Sequence, residues 1–253
     1  MAAFTSKKPY WHIPIVESNE PLVPIPGDRF VFANPHPYAA LGAPYGTVSP
    51  FFVREGVLVA LEQAQSLLQA QHPNWKLFIF DAYRPVAVQK FMVDFTFAEV
   101  LQTRGLERSQ LSESETAAIL EEVYQLWAPP ILDLKTPPPH STGAAVDITL
   151  FDTQTQETVF MGSPIDEFSP RSHPDYFGNL VRDAIAEEDD LASADLAHSH
   201  RQLLNQMMHQ AGFQRHPGEW WHFSLGDQMW AWLEQQMRGP QSVSARYGRV
   251  TLA

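Results

Sequence analysis

The sequence of 253 residues contains no cysteine. Disulfides and thiolate metal sites are thereby excluded, and any bound metal must be held by histidine and carboxylate side chains. Positive charge is also scarce: 17 Lys and Arg stand against 29 Asp and Glu, a formal net charge of −12. Such a balance repels nucleic-acid backbones and anionic membrane surfaces, so a small or zwitterionic molecule is the expected partner. No run of about 18 apolar residues is present to span a bilayer. The lysine-containing N-terminus lacks the unbroken apolar stretch of a secretory signal. A soluble, cytoplasmic protein is the expectation.

What the chain does contain fits a packed interior: 44% hydrophobic residues, seven Trp and sixteen Phe. Prolines crowd its beginning (Pro9, Pro14, Pro21, Pro24, Pro26, Pro35, Pro37, Pro44 and Pro50). Their fixed φ and missing N–H forbid regular helix, predicting an extended arm over about residues 1–50 laid on a single domain.

Beyond the arm, Val57, Leu61, Ala64 and Leu68 recur at helical spacing and predict an amphipathic helix over 54–70. "LFIFDAYRP" (77–85) reads as a strand buried on both faces and stopped by Pro85. A helix is expected over 86–104. Ser112 and Glu115 form a capping box before a second stripe, Ile119, Val123 and Leu126. In "AAVDITLF" the apolar Ala144, Val146, Ile148 and Leu150 alternate with Ala145, Asp147 and Thr149, a strand with Asp147 on its more polar face. Residues 151–178 read as a long ordered loop, and "AEEDDLASAD" as a solvated acidic segment. A helix over 195–211, a strand at "EWWHFSL", and a last helix capped by Asp227 and ended by Gly239 and Pro240 complete the reading.

One constellation carries chemistry. His140 and Asp147 lie at the two ends of a loop entering a strand, and His222 lies on another strand. A His, Asp, His set leaves one coordination position for water, as catalytic zinc requires. Glu219, near His222 in sequence, is the candidate base. Residues three apart on a flat strand face opposite sides, so Glu219 is expected at an irregular strand entry eased by Gly218. Arg84, at the mouth of its strand, offers permanent charge and paired donors to an oxyanion or carboxylate.

Taken singly, each of these residues is more often structural. Arg84 could simply pair with Asp81, and Trp220 and Trp221 could simply be core. His12, His36, His72, His198, His200, His209 and His216 show no comparable setting and are expected at the surface, with His173 unassigned.

Together, "DAYRP", "HSTGAAVDITL", "FMGSPIDEFSPRSH" and "GEWWHFS" resemble, in that order, the VanX-type D-alanyl-D-alanine dipeptidases of the M15 zinc peptidases. The resemblance covers about residues 20–238. It implies an α+β fold with a central, mainly antiparallel sheet and surrounding helices. It also implies one Zn2+ held by His140, Asp147 and His222, with Glu219 as general base, Arg84 stabilising the tetrahedral intermediate, and Asp166 supporting the substrate pocket. The implied activity is zinc-dependent hydrolysis of D-Ala-D-Ala or a similar dipeptide. The rival readings are a D,D-carboxypeptidase or endopeptidase on cell-wall peptides, and a non-catalytic zinc-binding module. One position departs from the pattern: the serine common two residues before the first histidine is Pro138 here, which puts dipeptide preference, not metal chemistry, in question.

Overall fold

Proline shapes the first elements of the computed structural model, which describes residues 7–183, 188–239 and 243–250. Among the described residues, the early chain forms only the short strands β1 (Leu22–Pro24) and β2 (Val31–Phe32) and one helical turn, α1 (Pro37–Ala40). That turn departs from the expectation of no helix in the arm. Pro37 starts it at the first helical position, where a missing N–H costs nothing. The arm is anchored as well as extended: Tyr10 and Ile13 are buried against Met229, Ala231 and Ala245.

β3 (Phe52–Arg54) pairs antiparallel with β1 and leads into α2 (Glu55–Gln71), whose Val57, Leu61, Ala64 and Leu68 form the buried stripe read from the sequence. β4 (Trp75–Asp81) and α3 (Val86–Arg104) follow, with Gly105 in the left-handed region closing the helix. α4 (Glu113–Leu126) begins with the capping box: Ser112 Oγ accepts from Glu115 N–H, while the Glu115 carboxylate accepts from Ser112 N–H. β5 (Ala145–Asp152), β6 (Glu157–Thr158), α5 (Tyr176–Asp183), α6 (Glu188–Gln210), β7 (Gln214–Arg215), β8 (His222–Ser224) and α7 (Gln228–Arg238) complete the order.

The main sheet runs β2-β4-β5-β8-β7, with β6 on β5. Only the β2–β4 pair is parallel, so the α+β fold with a mainly antiparallel sheet is as expected. β5 is the hinge between core and site. Val146, Ile148 and Leu150 enter the main core with Leu61, Leu68, Leu77, Ile79, Met207, Trp220 and Trp221. Ala145, Asp147 and Thr149 face the other way.

Three expectations need correction. Only Leu77, Ile79 and Asp81 of β4 are fully buried; Phe78 and Phe80 are half-buried and border open grooves. The strand is therefore covered completely on one face alone. The acidic stretch read as a solvated segment is largely the start of α6, with Asp190 exposed but Ala194 buried; residues 186 and 187 lie outside the described residues, as does Pro240. The "EWWHFSL" strand shrinks to His222–Ser224. The 151–178 loop is mostly irregular, interrupted by β6 and a short turn at Pro170–Ser172. No helix among the described residues is long and apolar enough to cross a membrane.

Candidate active site

Strand register draws three polar side chains into a row. Asp147 pairs with His222 across β5–β8 and with Asp81 across β5–β4. Strict alternation would place Asp81 on the core side with Ile79. A register shift between Ile79 and Asp81 inserts one residue, and such a bulge turns the following side chain to the opposite face.

His140 enters from a tight turn, Pro139–Thr142, just before β5. The turn is tied internally, since Ser141 Oγ and Thr142 Oγ1 donate to the carbonyls of Pro138 and Pro139. Gly143, at φ 71°, swings the chain into the strand, a conformation that costs glycine little.

The two imidazoles have defined tautomers because their outer nitrogens have defined partners. His140 Nδ1 lies 2.7 Å from the Ala82 carbonyl, which can only accept, so Nδ1 carries the proton and Nε2 presents a lone pair. His222 Nε2 lies 3.4 Å from Ser224 Oγ, whose own proton goes to Asp227 at 2.8 Å. Its Nδ1 then presents the lone pair, 3.2 Å from His140 Nε2 and 3.1 Å from Asp147 Oδ1. Asp147 Oδ2 is 3.3 Å from His140 Nε2. Ligand atoms from His140, Asp147 and His222 all fall within 4.8 Å of one another. Three buried acceptors converging in this way repel unless a cation joins them, and buried partners that orient a ligating imidazole from its far side are typical of metal sites. The donor set fits a metal ion of the nitrogen- and oxygen-binding kind.

Glu219 reaches the same place because the chain is irregular from Pro217 to Trp221, which removes the opposite-face objection of a flat strand. Its Oε2 is 3.8 Å from His222 Nδ1. Burial, and repulsion from Asp147 and Asp166, push its pKa well above the usual carboxylate value. Burial lowers the pKa of His222.

Arg84 is buried and its donors are largely engaged. Nε donates to Asp81 at 2.8 Å, Nη1 to Gln89 at 3.0 Å, and Nη2 to Tyr38 Oη at 3.2 Å and Asp147 at 3.1 Å. A guanidinium has five N–H donors, so one remains for a ligand oxygen. The pairing with Asp81 and the approach to the site therefore coexist. Asp166 joins through Tyr38, whose hydroxyl donates to it at 2.7 Å. Burial and the nearby Asp147 push Asp166 up to about 7.

His140, Asp147, His222, Glu219, Arg84 and Asp166 thus all line one cleft, with about 470 Å³ of empty space, part of it open to solvent. Larger grooves exist, such as that between Phe78, Phe80 and Phe160, but they gather no comparable set of titratable groups.

Sequence reasoning missed several neighbours. His36, expected at the surface, is buried, with Nε2 3.0 Å from Asp81. His216, also expected there, is half-buried in the cleft wall 3.6 Å from Glu219. His72, His198 and His200 are half-buried away from the cleft, whereas His12 and His209, and the unassigned His173, are exposed. Lys8 and Tyr10 line the cleft from the arm. Nothing in their local spacing could have signalled this, since the approach depends on tertiary folding.

Comparison with known proteins identifies the family. The family model described as D-ala-D-ala dipeptidase, Peptidase M15, matches residues 32–242. A D-alanyl-D-alanine dipeptidase of Synechocystis sp. is 47% identical over 250 residues, 99% of this chain and 100% of that protein. One of Enterococcus faecalis is 28% identical over 175 residues, 69% of this chain and 73% of that protein. A solved structure of VanYB in complex with D-alanine-D-alanine aligns with 91% of this chain and 99% of its own at 15% identity and a TM-score of 0.45. From the extent of the family match and of the Synechocystis relative, the chain belongs to the M15 peptidases of the D-Ala-D-Ala dipeptidase family, which are hydrolytic enzymes.

Proposed function

We propose that this chain hydrolyses D-Ala-D-Ala, or a closely similar dipeptide, with one zinc ion held by His140 Nε2, Asp147 and His222 Nδ1. The observation that carries this reading is the convergence of those three buried acceptors beside a half-buried carboxylate outside the set, Glu219. A purely structural zinc is usually closed by four protein ligands and has no use for such a base. When bound, zinc supplies the Lewis acidity that brings water at the site within reach of deprotonation near neutral pH.

The protein groups divide the remaining work. Glu219 takes a proton from the attacking water as its oxygen bonds to the peptide carbonyl carbon. It returns that proton to the departing nitrogen as the C–N bond breaks, giving two amino acids. A carboxyl with a raised pKa suits both directions of transfer. Arg84, oriented by Asp81 and Gln89, offers its remaining donor and its charge to the oxyanion. Asp166, with Tyr38, is a carboxylate placed to receive the ammonium of the first residue. Pro138 lends only its carbonyl to the His140 turn, so no side-chain hydroxyl from that position assists binding.

Glu219→Gln tests the assignment. It is expected to retain zinc and the folded state while turnover falls by about 10²- to 10⁴-fold, the usual range for a general base. Full activity in a zinc-loaded Glu219→Gln protein would exclude the role. Acetylation of the dipeptide amine should abolish most cleavage if Asp166 recognises the ammonium; equal turnover of free and N-acetylated dipeptide would favour the carboxypeptidase reading.

A further inference from the structure

The cleft has a second cationic residue in its wall, and it comes from the N-terminal arm. Lys8 and Tyr10 line the cleft together with Arg84, Glu219 and the His140, Asp147, His222 cluster. The family match begins only at residue 32, so this part of the wall lies outside it. The arm's position is built by several contacts. Tyr10 and Ile13 are buried against α7, the Ile13 carbonyl accepts from Gln228 Nε2 at 2.7 Å, and Ile15 bridges to Ala245.

Lys8 Nζ donates to the Tyr124 carbonyl at 2.9 Å, near the C-terminal end of α4. That bond uses one of the three ammonium donors. Gln125 and Leu126, the next residues of α4, line a groove together with Glu219, whereas Asp166 accepts from Tyr38 Oη, which in turn accepts from Arg84 Nη2. Lys8 therefore stands beside Glu219, and Asp166 beside Arg84. Partial burial lowers the Lys8 pKa, and an incoming anion offsets the cost of keeping that ammonium charged.

The polarity of the substrate follows. On the proposed reading, Glu219 delivers its proton to the departing nitrogen. The departing residue, which bears the terminal carboxylate of a dipeptide, then lies on the Glu219 side. We propose that Lys8 of the arm forms the subsite for the substrate's terminal carboxylate, so that the arm takes part in selecting free dipeptides over longer or C-terminally blocked chains. The inference rests on the proposed dipeptidase activity for the direction in which the substrate lies. Arg84 cannot readily replace Lys8, because four of its five donors are already engaged within the protein.

The test compares D-Ala-D-Ala with D-alanyl-D-alaninamide, which lacks the terminal charge, in the wild-type full chain and in its Lys8→Met and Lys8→Arg variants. A charge-assisted hydrogen bond predicts that wild type prefers the acid in kcat/KM by about ten- to a hundredfold. Lys8→Met should bring that ratio close to one, chiefly through KM for the acid, and Lys8→Arg should restore most of it. If Lys8 serves only as a helix-terminal contact, Lys8→Met lowers both substrates alike and the ratio stays put, which overturns the inference. A wild type that does not distinguish acid from amide overturns it as well. Should neither compound be hydrolysed, the dipeptidase reading has failed. Equilibrium binding of the same two compounds to wild type and Lys8→Met then decides the subsite: an acid preference lost in the variant supports it, and equal binding refutes it.

Discussion

Asp166 combines two unusual features at one position. Its backbone lies in the left-handed region at φ 63°, which Asp and Asn tolerate better than other side chains, and burial with Asp147 nearby lifts its pKa from 3.8 to about 7. In the unfolded chain the group ionises near its ordinary value, so between about 4 and 7 the folded protein holds a proton that the unfolded chain has released. Stability therefore falls as pH rises through that window, and the loss is complete above the folded value. In metal-free protein, Asp166→Asn should match wild type near pH 4 and become the more stable of the two by pH 8. Urea midpoints across that range measure it, and a pH-independent difference would contradict the raised pKa. Asp166 was legible in the sequence only through its motif. Neither its φ nor its pairing with Tyr38, 128 positions away, leaves a local trace. Arg84 shows the reverse: its bland reading and its functional reading were both legible, and the fold satisfies both through separate nitrogens.

Elements differ in legibility because their causes differ in range. The stripe of α2, the Ser112–Glu115 box and the Asp227 cap, whose carboxylate accepts from Trp230 N–H at 2.8 Å, are local patterns that the chain realises as written. β4 departs from its pattern because burial of a strand's second face depends on what the rest of the chain lays over it. The start of α6 is not legible locally, because an acidic surface is compatible with either a loop or an exposed helix. The His140 turn is the element on which the site depends most. A Cβ on Gly143 would run into Leu22 Cδ2, in a backbone conformation already unfavourable for other residues. Gly143→Ala is expected to cost about 2 kcal/mol and to weaken zinc binding by shifting His140 against Asp147. Thermal melts with and without zinc check both effects. Unchanged stability and metal affinity would mean that the turn has slack the geometry does not reveal.

At the scale of the whole molecule, core and site occupy opposite faces of β5. Val146, Ile148 and Leu150 pack into a cluster that contains none of the proposed metal ligands, so the fold should survive loss of the ion. Chelation is expected to lower stability by about 3 kcal/mol at a zinc concentration a hundred times its Kd, while far-ultraviolet circular dichroism stays native. Unfolding on chelation would instead favour a structural zinc module. The alternation in "AAVDITLF" disclosed this division of faces. The bulge at Asp81 and the approach of Lys8 arise only when distant segments meet.

The most direct measurement is release of free D-alanine from D-Ala-D-Ala by the purified protein, before chelation, after chelation and after zinc is restored. Release that chelator abolishes and zinc recovers is the expected result. Release that persists in verified metal-free protein, or none from folded, zinc-loaded protein, would contradict it.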